Sequence, residues 1–450
     1  MRPELSYIIP AHNAEAFIAE TLSALRTQQP GRHGEPVPSW EAVIVDDRST
    51  DGTARVVKAI GDARLVVVRN PGPLRGPAAA RRVGLHHATG RLVCFLDADD
   101  LPEPHSMAEL VGAIKAEDAD AVTGGYRLID ETGEDLCWSH LPENGDWSVQ
   151  KLSTANRLII GAVVVTRQAL LAAETVEPRM FDTGCQSEDW AMWLHFARVA
   201  HDAGVRWAHV VDRPVLAYRQ RSGSRSRQVM ENLSSGLQII QQFGADDDEI
   251  RAAAISMLRR AVSEALVEGD ADLVQAASAD IPPDERGGDQ AAEAFVSPLR
   301  WSLACRGYLR PPGMKAAMAD LLPQISKLAA GILHFDWSVV MRRALCGPEQ
   351  LAMAASRLHA TMGPSGRLVI YGLGRNGRAA LRLVAGRDRV VAIDDDASRT
   401  SPVPRITVDD LTATDAVLVT PDKREPILGR IDGTPARVVL PEDVLLGRVR

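Results

Sequence analysis

Residues 40–70, WEAVIVDDRSTDGTARVVKAIGDARLVVVRN, contain one complete strand–helix–strand unit. The apolar run EAVIVDD predicts a buried strand, and the polar turn after it starts a helix that ends on Gly61. The run RLVVVRN predicts the next strand. Because strands joined by a helix of this length run parallel, the segment predicts a doubly wound α/β sheet.

The flanking segments repeat this pattern on both sides. Before it, LSYIIP predicts a strand and AEAFIAETLSALRTQ an amphipathic helix. After it, GPAAARRVGLHHATG predicts a helix and RLVCFLDADD a fourth strand. Ligands bind such sheets at the carboxyl ends of the strands. The acids that end two of these strands are therefore candidate site residues: Asp46, Asp47, Asp97 and Asp99.

The remaining sequence predicts two further regions. At roughly 150 residues per domain, a chain of 450 residues is expected to contain about three domains. Residues 228–362 are rich in Ala, Leu and Arg with helical periodicity and carry no catalytic constellation, so packing or homo-oligomer contacts are their expected role. Residues 363–450 return to an α/β pattern. We therefore predict an α/β domain over 1–227, a helical region over 228–362 and a small Rossmann-like module over 363–450.

Composition narrows the class of protein. A net charge of -8 argues against nucleic acid as a partner. Five cysteines without a CxxC pair argue against a zinc site or a disulfide framework and fit a reducing compartment. The sequence shows no signal-peptide pattern and no apolar run long enough to span a bilayer. We expect a cytoplasmic protein that meets a membrane only peripherally, at its inner face.

The run FLDADD, residues 95–100, is the strongest local signal. In extended backbone the side chains of Asp97 and Asp99 project to the same side, so two carboxylates face one pocket. Paired carboxylates suit Mg²⁺ or Mn²⁺, which would offset charge on a leaving diphosphate. The alternative is a solvated loop that caps the next helix, and both interpretations stay open from the residues alone.

Three other segments carry candidate chemistry with equally plain alternatives. In VIVDDRSTDGT, Asp46 or Asp47 could accept hydrogen bonds from a base or ribose, or the segment could simply cap a helix. In GCQSEDWAMWLHFA, Glu188 and Asp189 could act as a general base or only favour a helix N-terminus. The basic run YRQRSGSRS could order around a diphosphate or remain a flexible loop.

Taken in order, four segments resemble glycosyltransferase family 2, which has the GT-A fold. They are IIPAHNAEAFIAETLSAL, WEAVIVDDRSTDGT, GPAAARRVGLHHATGRLVCFLDADD and SEDWAMWLHFA, and the resemblance covers roughly residues 4–227. It implies that Pro10 starts a loop under the nucleotide and that Asp47, or else Asp46, contacts the base. It also places Arg81 near the donor.

For the reacting groups, the resemblance implies that Asp97 and Asp99 form the DxD motif, with Asp99 on the metal and Asp97 on ribose or metal. Asp189 matches the catalytic base, with Glu188 beside it. Gly124 and Gly125 match an acceptor-side strand. Most members of the family invert the anomeric centre.

Three positions depart from the family pattern. Arg82 replaces an Asn, Arg48 replaces a Gly, and Arg221 stands where many members carry a His near the metal and diphosphate. Arginine can bind a diphosphate in a bidentate way, but it is not a metal ligand. Arg221 therefore bears directly on the metal shell.

The C-terminal run VIYGLGRNG places Gly372, Gly374 and Gly377 between a predicted strand and helix, and Asp394 ends the following strand. This is the dinucleotide-fold fingerprint in its usual context. The module also resembles the nucleotide-sugar-binding domain of bacterial sugar O-acetyltransferases. It is short for a full dinucleotide site, so structural or regulatory use is favoured over redox chemistry.

The leading prediction is an inverting, metal-dependent glycosyltransferase that uses a nucleoside-diphosphate sugar, with a UDP-sugar favoured, and Mg²⁺ or Mn²⁺. The acceptor could be a saccharide, a lipid-linked saccharide or a protein, in surface glycan or glycoconjugate assembly. Two alternatives are a catalytically silent nucleotide-sugar-binding scaffold and a nucleotide-dependent oxidoreductase that uses the C-terminal module. The second lacks a candidate hydride-transfer site near that module.

Overall fold

The computed structural model describes most of the chain. The described residues are 2–143, 145, 147–181, 184, 186–224, 227–362, 365–372, 377, 380–381, 384, 389–395, 401–420, 425–446 and 448. The chain forms two compact units. The first comprises residues 1–135 and 139–257, and the second comprises residues 136–138 and 258–450.

The first unit is built around a mixed sheet. Its strands are β1 (Leu5–Ala11), β2 (Trp40–Asp46), β3 (Leu65–Arg69), β4 (Leu92–Phe95), β5 (Leu101–Pro102), β6 (Ala121–Ile129), β7 (Asp135–His140), β8 (Val163–Thr166) and β9 (Trp207–Arg219). Its helices are α1 (Ile18–Arg26), α2 (Thr53–Ala59), α3 (Pro77–His87), α4 (Ser106–Ala116), α5 (Val149–Leu152), α6 (Arg167–Val176), α7 (Glu188–Asp202) and α8 (Val229–Phe243). The helix α9 (Asp247–Glu268) begins in this unit.

The sheet has the order β3-β2-β1-β4-β8-β6-β9-β5, with β7 paired to β6. The first four strands are parallel, as predicted. The further strands make the sheet mixed rather than purely parallel: β8 runs antiparallel to both β4 and β6, β7 runs antiparallel to β6, and β9 runs parallel to β6. For β7 the physical reason is the short turn 130–133 that joins it to β6, where Gly133 has φ +93°. A connection this short can join only antiparallel strands.

Both faces of β1, β2 and β4 are buried, which explains their nearly continuous apolar runs, whereas β3 at the edge of the sheet is partly exposed. Along β1, Tyr7 and Ile9 pack in one core with Leu22 of α1, whereas Ile8 faces the other core with Phe95 and Trp193. Adjacent residues of a strand point to opposite faces, so one strand supplies both cores. Residues of α8 join the second of these cores.

The second unit combines a helical region with a small parallel sheet. Its helices are the rest of α9, α10 (Ala271–Ala279), α11 (Gly288–Cys305), α12 (Pro311–Ala316), α13 (Leu322–Ala329), α14 (Trp337–Leu345), α15 (Pro348–Thr361), α16 (Glu425–Ile431) and α17 (Pro441–Leu445). The strands β10 (Leu368–Tyr371), β11 (Val390–Ile393), β12 (Ala416–Val419) and β13 (Arg437–Val439) lie in the order β11-β10-β12-β13.

The predicted fold class is confirmed by these elements: an α/β first region, a helical middle and a small C-terminal α/β module. The predicted division of the chain into three regions, with its two boundaries, stays a prediction. Within the described part of the chain, none of the helices combines the length and apolar character needed to cross a bilayer.

Gly84 of α3 offers a direct test of how closely this helix packs on the sheet. A Cβ atom built there would lie 2.2 Å from Ile8 Cγ2 and 3.2 Å from Val45 Cγ2. We expect Gly84→Ala to lower the thermal unfolding midpoint, because crowding of two stiff β-branched side chains outweighs the gain of about 1 kcal/mol in helix propensity. The measurement is thermal unfolding followed by circular dichroism.

The control is Gly429→Ala in α16, where an added Cβ meets nothing within 4 Å. There the propensity gain is unopposed, so the midpoint of its unit should stay the same or rise. A rise in both variants would show that α3 does not lie as close to β1 as described.

Candidate active site

The predicted acids gather at one edge of the first unit's sheet. In the β1–β2 pair, Ala11 lies opposite Asp46, and Asp47 N donates to Ala11 O at 2.8 Å. In the β1–β4 pair, Ile8 lies opposite Phe95, and Leu96 N donates to Ile8 O at 3.0 Å. Since the strands are parallel, their carboxyl ends meet here, and Asp97 follows directly after β4.

Asp47 is buried and both of its carboxylate oxygens are occupied. One accepts a hydrogen bond from Asn70 Nδ2 at 2.7 Å, and the other accepts one from Gly76 N at 2.7 Å. Asp46 is only half-buried, and its Oδ1 accepts from Ser49 N at 2.9 Å. Asp47 therefore fastens the loop before α3. Of the two predicted base contacts, the geometry favours Asp46.

The turn after β2 interlocks with the turn after β1, which Pro10 precedes. Asn13 Oδ1 accepts from Thr50 N at 2.8 Å, and Ala14 N donates to Thr53 Oγ1 at 2.8 Å. Arg48 has φ +64°, a region that favours glycine, and its guanidinium donates to Gly72 O. Arg48, which replaces the glycine of the family pattern, thus keeps the left-handed backbone conformation typical of glycine and adds a side-chain hydrogen bond to Gly72 O.

Arg81 is the buried centre of the site. Its side chain is 2% exposed; its NH2 donates to Asp97 Oδ1 at 2.9 Å, and its NH1 donates to Glu188 Oε1 at 3.2 Å. Burial opposes the charge of this guanidinium, but Asp97, Glu188 and Asp189 outweigh it, so the pKa of Arg81 is raised. One cation thus ties together α3, the end of β4 and the start of α7.

Asp189 occupies the first turn of α7, next to Glu188. Its Oδ2 accepts from Asn156 Nδ2 at 3.1 Å, and its Oδ1 accepts from Trp190 N at 2.8 Å. Its side chain is half-buried, whereas Glu188 is buried on Arg81. Of the two acids, Asp189 is therefore the one that solvent can reach.

Asp99 and Asp100 meet two arginines from the end of β9. Arg221 NH2 lies 2.6 Å from Asp99 Oδ2, and Arg219 N donates to Asp100 Oδ1 at 2.9 Å. Burial, and after it the neighbouring Asp97, raises the pKa of Asp99, although Arg221 opposes that rise. Burial and Asp99 raise the pKa of Asp100. Simultaneous ionisation of the neighbouring carboxyl groups is therefore disfavoured at this edge.

Gly124 and Gly125 of β6 are explained by packing. A Cβ atom at Gly124 would lie 2.4 Å from Val215 Cγ2, and one at Gly125 would lie 2.4 Å from His140 O. Both glycines are buried. Their predicted place beside the acceptor stays a prediction, but the close approach of β9 and of His140 is reason enough for glycine there.

The sequence did not single out Arg219, Asp100 or Asn156. Arg219 is buried and donates to Asp99 O at 2.8 Å, to Glu131 O at 3.0 Å and to Glu20 Oε2 at 2.7 Å. It lies two residues before Arg221, so the alternation within YRQR was the available signal. No comparable local signal marked Asn156, which lies in a loop far from Asp189 in sequence.

The predicted nucleotide fingerprint lies in the second unit. Gly372 has φ +94°, and a Cβ atom at Gly377 would lie 1.6 Å from Gly372 O. Asp394 directly follows β11, and Gly374 lies outside the described residues. Glycine is thus required at 372 by the left-handed backbone and at 377 by the close approach to Gly372 O. Nucleotide binding at these positions stays a prediction.

Residues 6–162 match the family model described as Glycosyl transferase family 2. The chain is 29% identical over 166 residues to the probable glycosyltransferase YdaM of Bacillus subtilis, which covers 34% of this chain and 38% of YdaM. It is 22% identical over 225 residues to the UDP-Glc:alpha-D-GlcNAc-diphosphoundecaprenol beta-1,3-glucosyltransferase WfgD of Escherichia coli, covering 50% of this chain and 82% of WfgD.

A further relative is the putative teichuronic acid biosynthesis glycosyltransferase TuaG of Bacillus subtilis, 33% identical over 146 residues, covering 32% of this chain and 55% of TuaG. The chain thus spans less than two thirds of YdaM and TuaG. Among solved structures, S. aureus TarS in complex with UDP-GlcNAc is similar at a TM-score of 0.39 and 18% identity, over 73% of this chain and 90% of that chain. Residues 6–162 are thus similar to the glycosyl transferase family 2 domain, and the curated relatives named here are glycosyltransferases by name.

Arg81 is open to a test by stability. We expect Arg81→Met to lower the free energy of unfolding of the first unit by about 3–5 kcal/mol, because it leaves buried Glu188 and half-buried Asp97 without their shared counter-charge. The measurement is urea denaturation followed by tryptophan fluorescence.

Arg206→Met is the matched control. Arg206 pairs with Asp118 at 2.8 Å on the surface, where both side chains are mostly exposed. Solvent screens such a pair, so its loss should change stability little. Equal losses in the two variants would contradict the central role of Arg81.

Proposed function

Starting from the match of residues 6–162 to glycosyl transferase family 2, we propose that the chain transfers a sugar from a nucleoside-diphosphate donor to an acceptor hydroxyl with inversion. The observation that supports this proposal most directly is that Arg81 forms ion pairs with both Asp97 and Glu188. It brings the donor-side acid Asp97 and the acid pair Glu188 and Asp189 to one guanidinium. Donor and base are thereby expected within reach of one reacting carbon.

Asp189 fits the role of general base. Direct displacement at the anomeric carbon requires removal of the acceptor hydroxyl proton, and a carboxylate within hydrogen-bond reach can take it. Each oxygen of Asp189 receives one hydrogen bond, from Asn156 Nδ2 or from Trp190 N. These bonds hold the carboxylate in one orientation. Glu188, paired with Arg81, would position α7 without touching the substrate.

On the donor side, Pro10 and Asp46 lie at the strand ends where the nucleoside is expected, with Asp47 holding the adjacent loop. Arg221 is the candidate for the diphosphate, since guanidinium groups bind phosphates in a bidentate way. A UDP-sugar is the favoured donor, and the printed name of WfgD, which includes UDP-Glc, supports that choice. The names of WfgD and TuaG also support a role in surface glycan assembly.

The predicted Mg²⁺ or Mn²⁺ at Asp97 and Asp99 stays a prediction, and the donor set fits it poorly. Each carboxylate already has an oxygen within hydrogen-bond distance of a guanidinium, Arg81 for Asp97 and Arg221 for Asp99. Among the described residues, no group of three His, Cys, Asp or Glu side chains could hold a metal ion.

The predictions about cellular location, oligomeric contacts and the acceptor remain proposals. They include the cytoplasmic location, a peripheral position at the inner face of the membrane, and homo-oligomer contacts through the helical region. The acceptor also stays open between a saccharide, a lipid-linked saccharide and a protein.

The function is tested by donor hydrolysis, in which water replaces the acceptor. A panel of nucleotide sugars is incubated with the purified protein, and release of nucleoside diphosphate is measured. We expect one donor to be cleaved, and Asp189→Asn to reduce the rate by about 10²-fold or more while donor binding is retained, because the base is lost but the donor contacts are not.

Asp202→Asn, in the exposed last turn of the same helix, should leave the rate unchanged. Binding without cleavage of any donor would instead favour the nucleotide-sugar-binding scaffold. If Asp189→Asn cleaves the donor as fast as the parent protein, Asp189 is not the base.

A further inference from the structure

Arg221 is held in a defined position at the mouth of the site. Its NH2 lies 2.6 Å from Asp99 Oδ2, and its guanidinium carbon lies 4.9 Å from the centre of the Phe17 ring. A carboxylate on one edge and an aromatic face beneath restrict the side chain to few rotamers. At the same time 34% of the Arg221 side chain is exposed. A fixed and partly exposed guanidinium therefore lies beside the carboxylate of Asp99.

The neighbouring Arg219 cannot serve a ligand in the same way. It packs over the same Phe17 ring, at 5.4 Å, but it is fully buried. Its donors are taken by the carbonyl oxygens of Asp99 and Glu131 and by the Glu20 carboxylate. Arg219 thus supports the loop, and Arg221 is the arginine of the pair with donors left for a ligand.

One donor of Arg221 is unsatisfied. Its Nε is buried and has no hydrogen-bond acceptor among the residues that the structure describes. A buried N–H group without an acceptor is unfavourable, so an acceptor is expected to arrive with a ligand or with a small shift of the side chain. An oxygen-rich anion such as a diphosphate supplies acceptors in the planar pattern that guanidinium matches.

A divalent ion would compete with Arg221 for the same oxygen. An ion on Asp99 would have to displace the guanidinium or sit beside it, where like charges repel. The residue that replaces the family's histidine has no lone pair to offer a metal, since arginine is a donor only. Arg221 is the cation that the chain itself places beside Asp99.

We propose that Arg221 takes the place of the divalent ion, so that donor binding and sugar transfer proceed without a metal. The inference rests on the proposed function. In the step, the bond between the anomeric carbon and the diphosphate oxygen breaks, and its electron pair goes to the leaving diphosphate. The acceptor oxygen bonds to that carbon, and its proton passes to Asp189. Arg221 donates hydrogen bonds to the diphosphate as its negative charge grows, which makes it a catalytic residue.

The experiment measures nucleoside diphosphate binding by calorimetry, with UDP first and GDP, ADP and dTDP as further probes, in EDTA and then in Mn²⁺. For the parent protein we expect equal affinity in both conditions, within about twofold. Arg221→Ala should weaken binding by about tenfold or more in both, because charge-assisted hydrogen bonds are lost. Circular dichroism checks that this variant is folded.

Arg221→His is the decisive variant, since it places a metal-binding side chain beside Asp97 and Asp99. We expect its affinity to be weak in EDTA and to recover in Mn²⁺, and its Mn²⁺ electron paramagnetic resonance signal to change when the nucleotide is added. Arg206→Ala, which removes a surface arginine, should behave like the parent protein in every condition.

The inference is overturned if the parent protein loses nucleotide binding in EDTA and regains it with Mn²⁺. Donor cleavage is measured separately and tests the proposed function. If cleavage occurs but requires Mn²⁺, the proposed transferase activity is supported and the inference of metal independence is rejected. If none of the nucleoside diphosphates binds in either condition, both are rejected. Cleavage in EDTA that disappears in Arg221→Ala supports both.

Discussion

The site depends on one buried guanidinium held between two carboxylates. Taking Arg81 out of water is costly, and its ion pairs with Asp97 and Glu188, together with the nearby Asp189, offset that cost. The pair also fixes geometry, since Asp97 extends from the end of β4 and Glu188 from the first residue of α7. The helix α7 is thereby aligned with strand β4, which lies about 90 residues earlier in the chain.

This alignment is possible because the sheet brings its strand ends to one edge. The register of β1 with β2 and β4 places Asp46, Asp47 and Asp97 within a few residues of the same level. Alternate residues of β1 feed two separate cores, so a shift of one residue would exchange the contents of both. Packing on both faces of the sheet therefore fixes the strand register and, with it, the positions of Asp46, Asp47 and Asp97.

Local signals in the sequence predicted much of this. Apolar runs that end in carboxylates were sufficient to predict the parallel strands and the edge at which the acids meet. The uses of Asp47, Arg219 and Asn156 were out of reach, because each depends on a partner brought by the fold from a distant segment. Gly372 and Gly377 show that a visible sequence motif need not reveal a function. The dinucleotide-fold fingerprint was present in the sequence, yet the left-handed backbone of Gly372 and the close approach of Gly377 to Gly372 O already explain both glycines without a ligand.

The loop between β3 and α3 shows how the fold restricts changes in chain length. Asp47 holds both ends of this loop, at Asn70 and Gly76, and Arg48 holds Gly72 between them. Neighbouring residues on one turn thus clamp three points along seven residues. An insertion or deletion here would break at least one clamp, whereas most surface loops absorb such changes easily. Homologous chains that keep Asp47 and Arg48 should accordingly vary in length elsewhere, and grafted loops should succeed only at the parent length.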